Sequence, residues 1–214
     1  MSDERYTVVL DPGHGGDEDL GAQHNGIVES HYNLLFTRLC THRLRMANPD
    51  MCVHMTRLDD VAMSLSERGK FVRSHNADLA ISIHVNAGDP ETQFGAMSFY
   101  DSRLGPSSKL AAEMFLNALP HELKDTDAKP WRVHRWHSDP PTPKWLMSAR
   151  NVIELASQET VPTVLLELGF CSNVANAEML KNLGVQKMFV AAIQCAISAV
   201  RLHQITGGAR YING

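Results

Sequence analysis

Short apolar runs rich in β-branched residues recur along the chain and predict buried strands. The clearest are YTVVL at residues 6–10, DLAISIHV at 78–85 and TVLLEL at 163–168. The segments 51–57 and 95–100 have a similar character and are predicted as further strands. Runs of this length and composition are typical of strands that lie inside a sheet.

Between these runs the apolar residues fall at helical spacing. Helices are predicted over residues 29–46, 64–75, 106–119 and 185–203. Ser64, with an acidic residue three positions later, forms the capping box expected at the start of the second helix.

Strands that alternate with helices predict an α/β fold, in a single domain over residues 1–206. We expect a largely parallel, twisted sheet with helices on both faces. The stretch 120–150 breaks the alternation, because it holds five of the 10 prolines and all 3 tryptophans, and it is predicted as an irregular Pro/Trp-rich insertion. Residues 207–214 are predicted as a flexible tail.

Composition narrows the class of protein. The 214 residues carry 20 Lys and Arg against 24 Asp and Glu, a net charge of −4, which gives no basic surface for nucleic acid. No apolar run reaches the ~18 residues that a membrane span requires, so no membrane insertion is expected. The 4 cysteines are scattered and form no CxxC pair, which indicates reduced thiols.

Two histidines follow the ends of two predicted strands. His14 lies in the turn DPGHGG, and His84 closes the apolar run LAISI. Ligands bind at the carboxyl ends of strands in open α/β sheets, and neutral imidazoles at adjacent strand ends can share one metal ion. Either histidine alone is also compatible with an ordinary turn or a backbone-bonded side chain, but the pair favours a metal site.

Two glutamates also occupy positions that indicate a functional role. Glu29 begins the first predicted helix, where an acid also interacts favourably with the helix dipole. Two histidines and one glutamate with an open fourth position form a known catalytic zinc arrangement. Glu167 interrupts an apolar strand, and burial there would raise its pKa toward the range of a general base. The alternative for Glu167 is an ion pair with an arginine of a neighbouring helix.

Four separated blocks give the chain a resemblance to a known family. VVLDPGHGG, TRLDD, HNADLAISIHVNA and LLELGFCSN occur in this order. They resemble the motifs of zinc-dependent N-acetylmuramoyl-L-alanine amidases of the amidase-3 type, over residues 6–202. The resemblance implies that His14, Glu29 and His84 bind Zn²⁺ and that Glu167 is catalytic. It also implies hydrolysis of the amide between N-acetylmuramic acid and L-alanine in peptidoglycan, the expected partner.

The implied mechanism is attack by a zinc-activated water whose proton Glu167 accepts and then passes to the leaving amine. Two alternatives stay open, because fold and metal do not fix the substrate. One is a zinc peptidase or acyl-amino-acid hydrolase acting on another amide. The other is a non-catalytic peptidoglycan-binding domain. A thiol mechanism at Cys171 is disfavoured, because its neighbours include no histidine base.

Substrate contacts are predicted in the insertion and beside the second histidine. Trp131, His134 and Trp136 are expected to border the substrate groove, because aromatic faces suit sugar and peptide contacts. Asn86, two residues beyond His84, is assigned a substrate-binding role as well. The alternative for the insertion is a structural flap.

The first residues, MSDERYTVVLD, lack the basic and apolar regions of a signal peptide. We therefore expect a protein made in the cytoplasm that reaches the cell wall after release and lyses the cell, as the catalytic domain of a phage endolysin does. We also expect it to be a monomer. The alternative is an exported protein whose signal has been removed.

Overall fold

The computed structural model describes residues 5–91, 93–100, 105–123, 133–135 and 161–207. Of residues 133–135 it describes the backbone alone. Most of the predicted insertion over 120–150, with Trp131 and Trp136, lies outside these ranges, as does nearly all of the predicted tail. The domain limits and the role of the insertion stay predictions.

Eight strands and five helices lie in the described ranges. The strands are β1 (Tyr6–Pro12), β2 (Gln23–His24), β3 (Ile27–Val28), β4 (Met51–Met55), β5 (Leu79–Asn86), β6 (Met97–Tyr100), β7 (Val133–Arg135) and β8 (Thr163–Phe170). The helices are α1 (Glu29–Ala47), α2 (Leu65–Ser74), α3 (Pro106–Ala118), α4 (Val174–Lys181) and α5 (Leu183–Ile205).

Six of the strands form one sheet in the order β4-β1-β5-β8-β6-β7. Strands β4, β1, β5 and β8 run parallel to one another, whereas β6 pairs antiparallel with β8. The largely parallel α/β fold predicted from the sequence is therefore confirmed. The register of β5 and β8 sets His84 beside Glu167, which brings two predicted site residues to neighbouring strands.

Helices cover both faces of the sheet, as predicted. On one face, Phe36 of α1, Phe115 of α3 and Phe189 of α5 belong to one large apolar cluster with residues of β1, β5 and β8. On the other face, Val72 of α2 packs with Val9 and with alanines near β5. The alternation of neighbouring strand residues between these clusters explains why the strands read as continuous apolar runs.

Helix α5 has the length and apolar composition of a membrane span. Its apolar face, however, is buried against the rest of the fold, where Phe189, Ile193 and Val200 join the main cluster. A core helix meets the same length and composition criteria, so these criteria do not indicate a span.

Two element boundaries differ from prediction for identifiable reasons, and three short elements were not predicted. The predicted strand over 51–57 ends at Met55, because Thr56 and Arg57 turn inward to bond residues near the end of β1. Helix α5 begins at Leu183 rather than at residue 185, because Asn182 caps it by accepting from two backbone N–H groups. The short helix α4 and the two-residue strands β2 and β3 carry too little periodicity to be predicted.

A buried ion pair anchors the end of β1. Asp11 and Arg68 are almost fully buried, and the Arg68 guanidinium lies 2.7 Å from Asp11 Oδ1. Thr56 and Ser82 donate hydrogen bonds of 2.5 and 2.8 Å to the two carboxylate oxygens. Burial opposes ionisation, but the Arg68 charge and these hydrogen bonds outweigh it and hold the pKa of Asp11 below its usual range.

Replacing Asp11 by Asn should destabilise the protein by about 3–5 kcal/mol at pH 7, because the Arg68 charge would stay buried without its counter-ion. Because the folded-state pKa of Asp11 is depressed, its stabilisation is present above the unfolded value of 3.8 and fades as pH falls toward the folded value. Urea unfolding at neutral and acidic pH measures both effects.

The control is Asp50→Asn, which removes an exposed carboxylate that pairs with Arg201. This variant should unfold close to wild type at neutral pH. An Asp11→Asn protein as stable as the control would contradict a structural role for the buried pair.

Candidate metal centre and active site

His14 lies in the loop after β1, in a conformation unusual for a residue with a side chain. Its φ is 59°, in the left-handed region. Arg68 donates to the His14 carbonyl oxygen at 2.8 Å and so helps to hold this backbone. The ring Nδ1 lies 2.6 Å from Asp19 Oδ1, which leaves Nε2 facing Glu29.

Glu29 is the first residue of α1 and is 5% exposed. The antiparallel pair β2–β3 precedes the helix and turns the chain back toward the loop that carries His14. Backbone N–H groups hold both carboxylate oxygens: Ala22 donates to Oε2 at 2.8 Å and Val85 donates to Oε1 at 3.2 Å. The carboxylate is thus fixed in place by two separate segments.

The carboxylate of Glu29 brings the two histidines together. Its Oε1 lies 3.3 Å from His14 Nε2 and 3.0 Å from His84 Nδ1. The imidazole rings meet edge to face with centroids 5.1 Å apart. One ligand atom from each of the three residues lies within 4.8 Å of the other two. The structure therefore brings all three sequence-predicted metal ligands to one point.

Two glycines make room for this cluster. A Cβ atom on Gly13 would lie 2.2 Å from the His84 ring. At Gly21, where φ is 66°, a Cβ atom would lie 2.6 Å from Glu29 Oε2 and 2.8 Å from His14 Cδ2. Only residues without a side chain fit at these two positions, so the backbone itself forms part of the wall of the site.

Burial and mutual contact shift the ionisation of the ligands in opposite directions. Burial alone would lower the pKa of His14, but Glu29 and Asp19 outweigh it and raise the pKa to about 9. Burial alone would raise the pKa of Glu29, but the two imidazoles hold it well below its usual range. The Glu29 carboxylate is therefore a buried anion stabilised by imidazole N–H groups and backbone amides.

Glu167 lies on β8 next to this centre and is 3% exposed. Its Oε2 has no hydrogen-bond partner among the described residues. Burial, followed by the nearby Glu29 charge, raises the pKa well above the usual range, and His14 only partly offsets this. The alternative of an ion pair with an arginine is not seen in the described part of the chain.

The donor set fits a zinc ion. Two imidazoles and one carboxylate at a strand edge match a catalytic zinc arrangement that leaves one position open. Glu167 Oε2, beside this cluster, is buried without a partner in the described ranges. Buried polar atoms are rarely left unpaired, so this oxygen fits a site that a bound ligand completes.

The predicted substrate-binding residues are less well defined. Asn86 ends β5 and is half-buried, and its Oδ1 accepts from the N–H of Ala87. His134 lies in β7 opposite Phe99 in register, and its side chain is not described. Trp131 and Trp136 lie outside the described residues. These four assignments stay predictions.

Similarity to known proteins identifies the family of the chain. Residues 8–199 match the family model described as N-acetylmuramoyl-L-alanine amidase. The chain belongs to this family. The family and enzyme class expected from the four sequence blocks are therefore confirmed.

Two relatives are similar to the chain over most of its length, and a third over a shorter part of it. N-acetylmuramoyl-L-alanine amidase LytC of Bacillus subtilis is 32% identical over 82% of the chain, which corresponds to 31% of LytC. The B. subtilis protein YqiI is 31% identical over 89% of the chain and 82% of its own length. The endolysin of Bacillus phage SPP1 is 38% identical over 37% of the chain and 29% of the endolysin.

A solved structure shares the fold. The N-acetylmuramoyl-L-alanine amidase from Clostridium difficile 630 superposes with a TM-score of 0.73, covering 95% of this chain and 99% of that one. Its sequence identity is 23%, so the likeness concerns the fold.

Asp19 was not predicted, and its geometry gives it a testable role. A carboxylate that accepts from the free nitrogen of a metal-binding imidazole fixes its tautomer, and losing such a partner typically costs about 10–100-fold in metal affinity. We expect Asp19→Ala to weaken zinc binding by about this factor, measured by competition with a chromophoric chelator.

Asp17→Ala is the matched control, because it removes an exposed carboxylate from the same loop. It should bind zinc as wild type does. Equal affinities for the two variants would show that the Asp19 contact does not orient His14.

Proposed function

We propose that the chain is a zinc-dependent hydrolase that cuts the amide between the lactyl group of N-acetylmuramic acid and L-alanine in peptidoglycan. The observation that carries this proposal is the convergence of His14, Glu29 and His84 beside the buried Glu167, whose Oε2 has no partner among the described residues. Membership of the amidase family supplies the substrate class.

His14, Glu29 and His84 would hold the zinc ion, which when bound supplies Lewis acidity toward the substrate carbonyl and toward water. Glu167 accepts the proton of the attacking water. Its raised pKa suits this step, because a buried carboxylate binds a proton more readily than an exposed one. The same carboxyl group then returns the proton to the nitrogen of the leaving L-alanine.

Lysis of cells by a phage-encoded protein is a further part of the proposal. The partial similarity to the endolysin of phage SPP1 supports it. This lytic role is tested separately from the peptidoglycan amide reaction. The protein is added to intact and to membrane-permeabilised cells. Lysis confined to permeabilised cells is the expected result.

The substrate is tested by digesting purified muropeptides and identifying the new amino termini by mass spectrometry. New termini on L-alanine are expected. Termini on other residues would indicate a peptidase, and no new termini would indicate a binding domain. Chelation should abolish turnover and added zinc should restore it.

The role of Glu167 is tested by Glu167→Gln, which keeps the side-chain shape but cannot accept the proton. Turnover should fall by about 10²–10⁴-fold with zinc content unchanged. Glu178→Gln is the control, since Glu178 is an exposed residue that pairs with Lys181.

Metal analysis of the same variants separates the roles of the two glutamates. If Glu167→Gln lost its zinc, Glu167 would be a ligand rather than a general base. His84→Ala, by contrast, should lose zinc and activity together.

A further inference from the structure

Arg57 follows β4 by two residues, and its side chain is fully enclosed, with 0% exposure. A buried guanidinium is stabilised only when its N–H groups find acceptors. The ion pair of Arg57 among the described residues is a long one, with Asp60 Oδ1 3.5 Å from Nη1. Most of its acceptors are instead backbone carbonyl oxygens.

Two of these carbonyls belong to the loop that carries His14. Arg57 Nε donates to the Pro12 oxygen at 3.0 Å, and Nη2 donates to the Gly13 oxygen at 3.1 Å. Pro12 and Gly13 directly precede His14, whose backbone takes the left-handed conformation described above. The guanidinium therefore fixes the backbone that leads to His14, the first predicted metal ligand.

The third carbonyl belongs to a different element. Nη2 of Arg57 also donates to the Ser30 oxygen at 2.8 Å, and Ser30 directly follows Glu29 at the start of α1. Nη1 is held in turn by the Asp59 oxygen at 3.1 Å. One rigid planar group thus joins the segments that carry two of the three ligands.

The third predicted ligand, His84, does not need this link, and the other nearby arginine, Arg68, does not supply it. His84 lies within β5, which the sheet fixes on both sides through β1 and β8. Arg68 donates to the carbonyls of Pro12 and His14, so it holds the His14 loop but has no recorded bond to α1. Arg57 bonds the Gly13 carbonyl and the first turn of α1 at once; Asn33, further along α1, adds a 3.3 Å bond to the same Gly13 oxygen but does not reach Pro12 or Ser30 in the described hydrogen bonds.

We propose that Arg57 is the positioning residue of the metal centre: by bonding the Pro12, Gly13 and Ser30 carbonyls at once, it sets the separation of His14 and Glu29 and thereby the affinity for the metal ion. Lysine cannot replace it, because a single ammonium group cannot span acceptors on both segments in a planar fork. This inference rests on the zinc site of the proposed function.

The test is Arg57→Lys, which keeps the charge and removes the fork. Zinc affinity is measured by chelator competition, and folding by circular dichroism with and without zinc. We expect a folded protein whose zinc affinity falls by about 10–100-fold, the range for losing the support of a metal ligand. The visible spectrum of the Co²⁺-substituted protein should also change, since it reports ligand geometry.

Arg45→Lys is the matched control. Arg45 also donates to a backbone carbonyl, that of Val53, through Nε and Nη2, but it bridges no ligand segments. Its zinc affinity and cobalt spectrum should equal those of wild type. A folded Arg57→Lys protein with wild-type affinity and spectrum would overturn the positioning role.

A second variant decides the matter if Arg57→Lys does not fold. Arg57→Gln keeps a planar amide donor that is too short to span both segments, and it leaves no charge buried that could prevent folding. It should weaken zinc binding severalfold, and wild-type affinity would then overturn the inference. Wild-type protein is titrated first: if it binds no zinc, the proposed function fails, whereas wild-type binding with unaffected variants contradicts only the role of Arg57.

Discussion

The carboxylate of Glu29 is the group on which the site depends. It is buried, ionised and shared between two imidazoles, at 3.3 Å from His14 and 3.0 Å from His84. An isolated carboxylate in such surroundings would be strongly disfavoured. Backbone amides of Ala22 and Val85 and the two rings offset that cost. The strand end, the β2–β3 turn and the start of α1 must therefore all be in place together.

Buried arginines provide that placement. Arg68 pairs with Asp11 and bonds the backbone beside His14, and Arg57 joins the same loop to the first turn of α1. Each is enclosed, and each donates mainly to carbonyl oxygens that a loop of this shape leaves unpaired. The TRLDD block is thus explained by the structure: its arginine completes the backbone hydrogen bonding of the loop that carries His14.

Local patterns in the sequence were sufficient to predict the parallel core of the sheet and to place the candidate ligands at one edge of it. Apolar runs ending in turns place His14 and His84 at strand ends, and parallel pairing brings those ends to one edge. The contacts of Asp19 and Arg57 could not be predicted in this way. An exposed aspartate in an acidic loop and an arginine after a strand have no periodicity, and their partners are 5 and 44 residues away. Only the folded backbone brings them together.

Two buried glutamates in one site have their pKa values shifted in opposite directions, and this difference separates their roles. Glu29 is surrounded by N–H groups, which favour its charged form and make it a permanent anion suited to a cation. Glu167 is buried, its Oε2 has no hydrogen-bond partner among the described residues, and the Glu29 charge lies nearby, all of which favour its protonated form. A carboxyl group of the second kind holds a proton more readily than one of the first kind, which suits it to proton transfer. Glu167 on β8 lies beside His84 of β5, and His84 in turn contacts Glu29, so the anion that would hold the metal also raises the pKa of the proposed base.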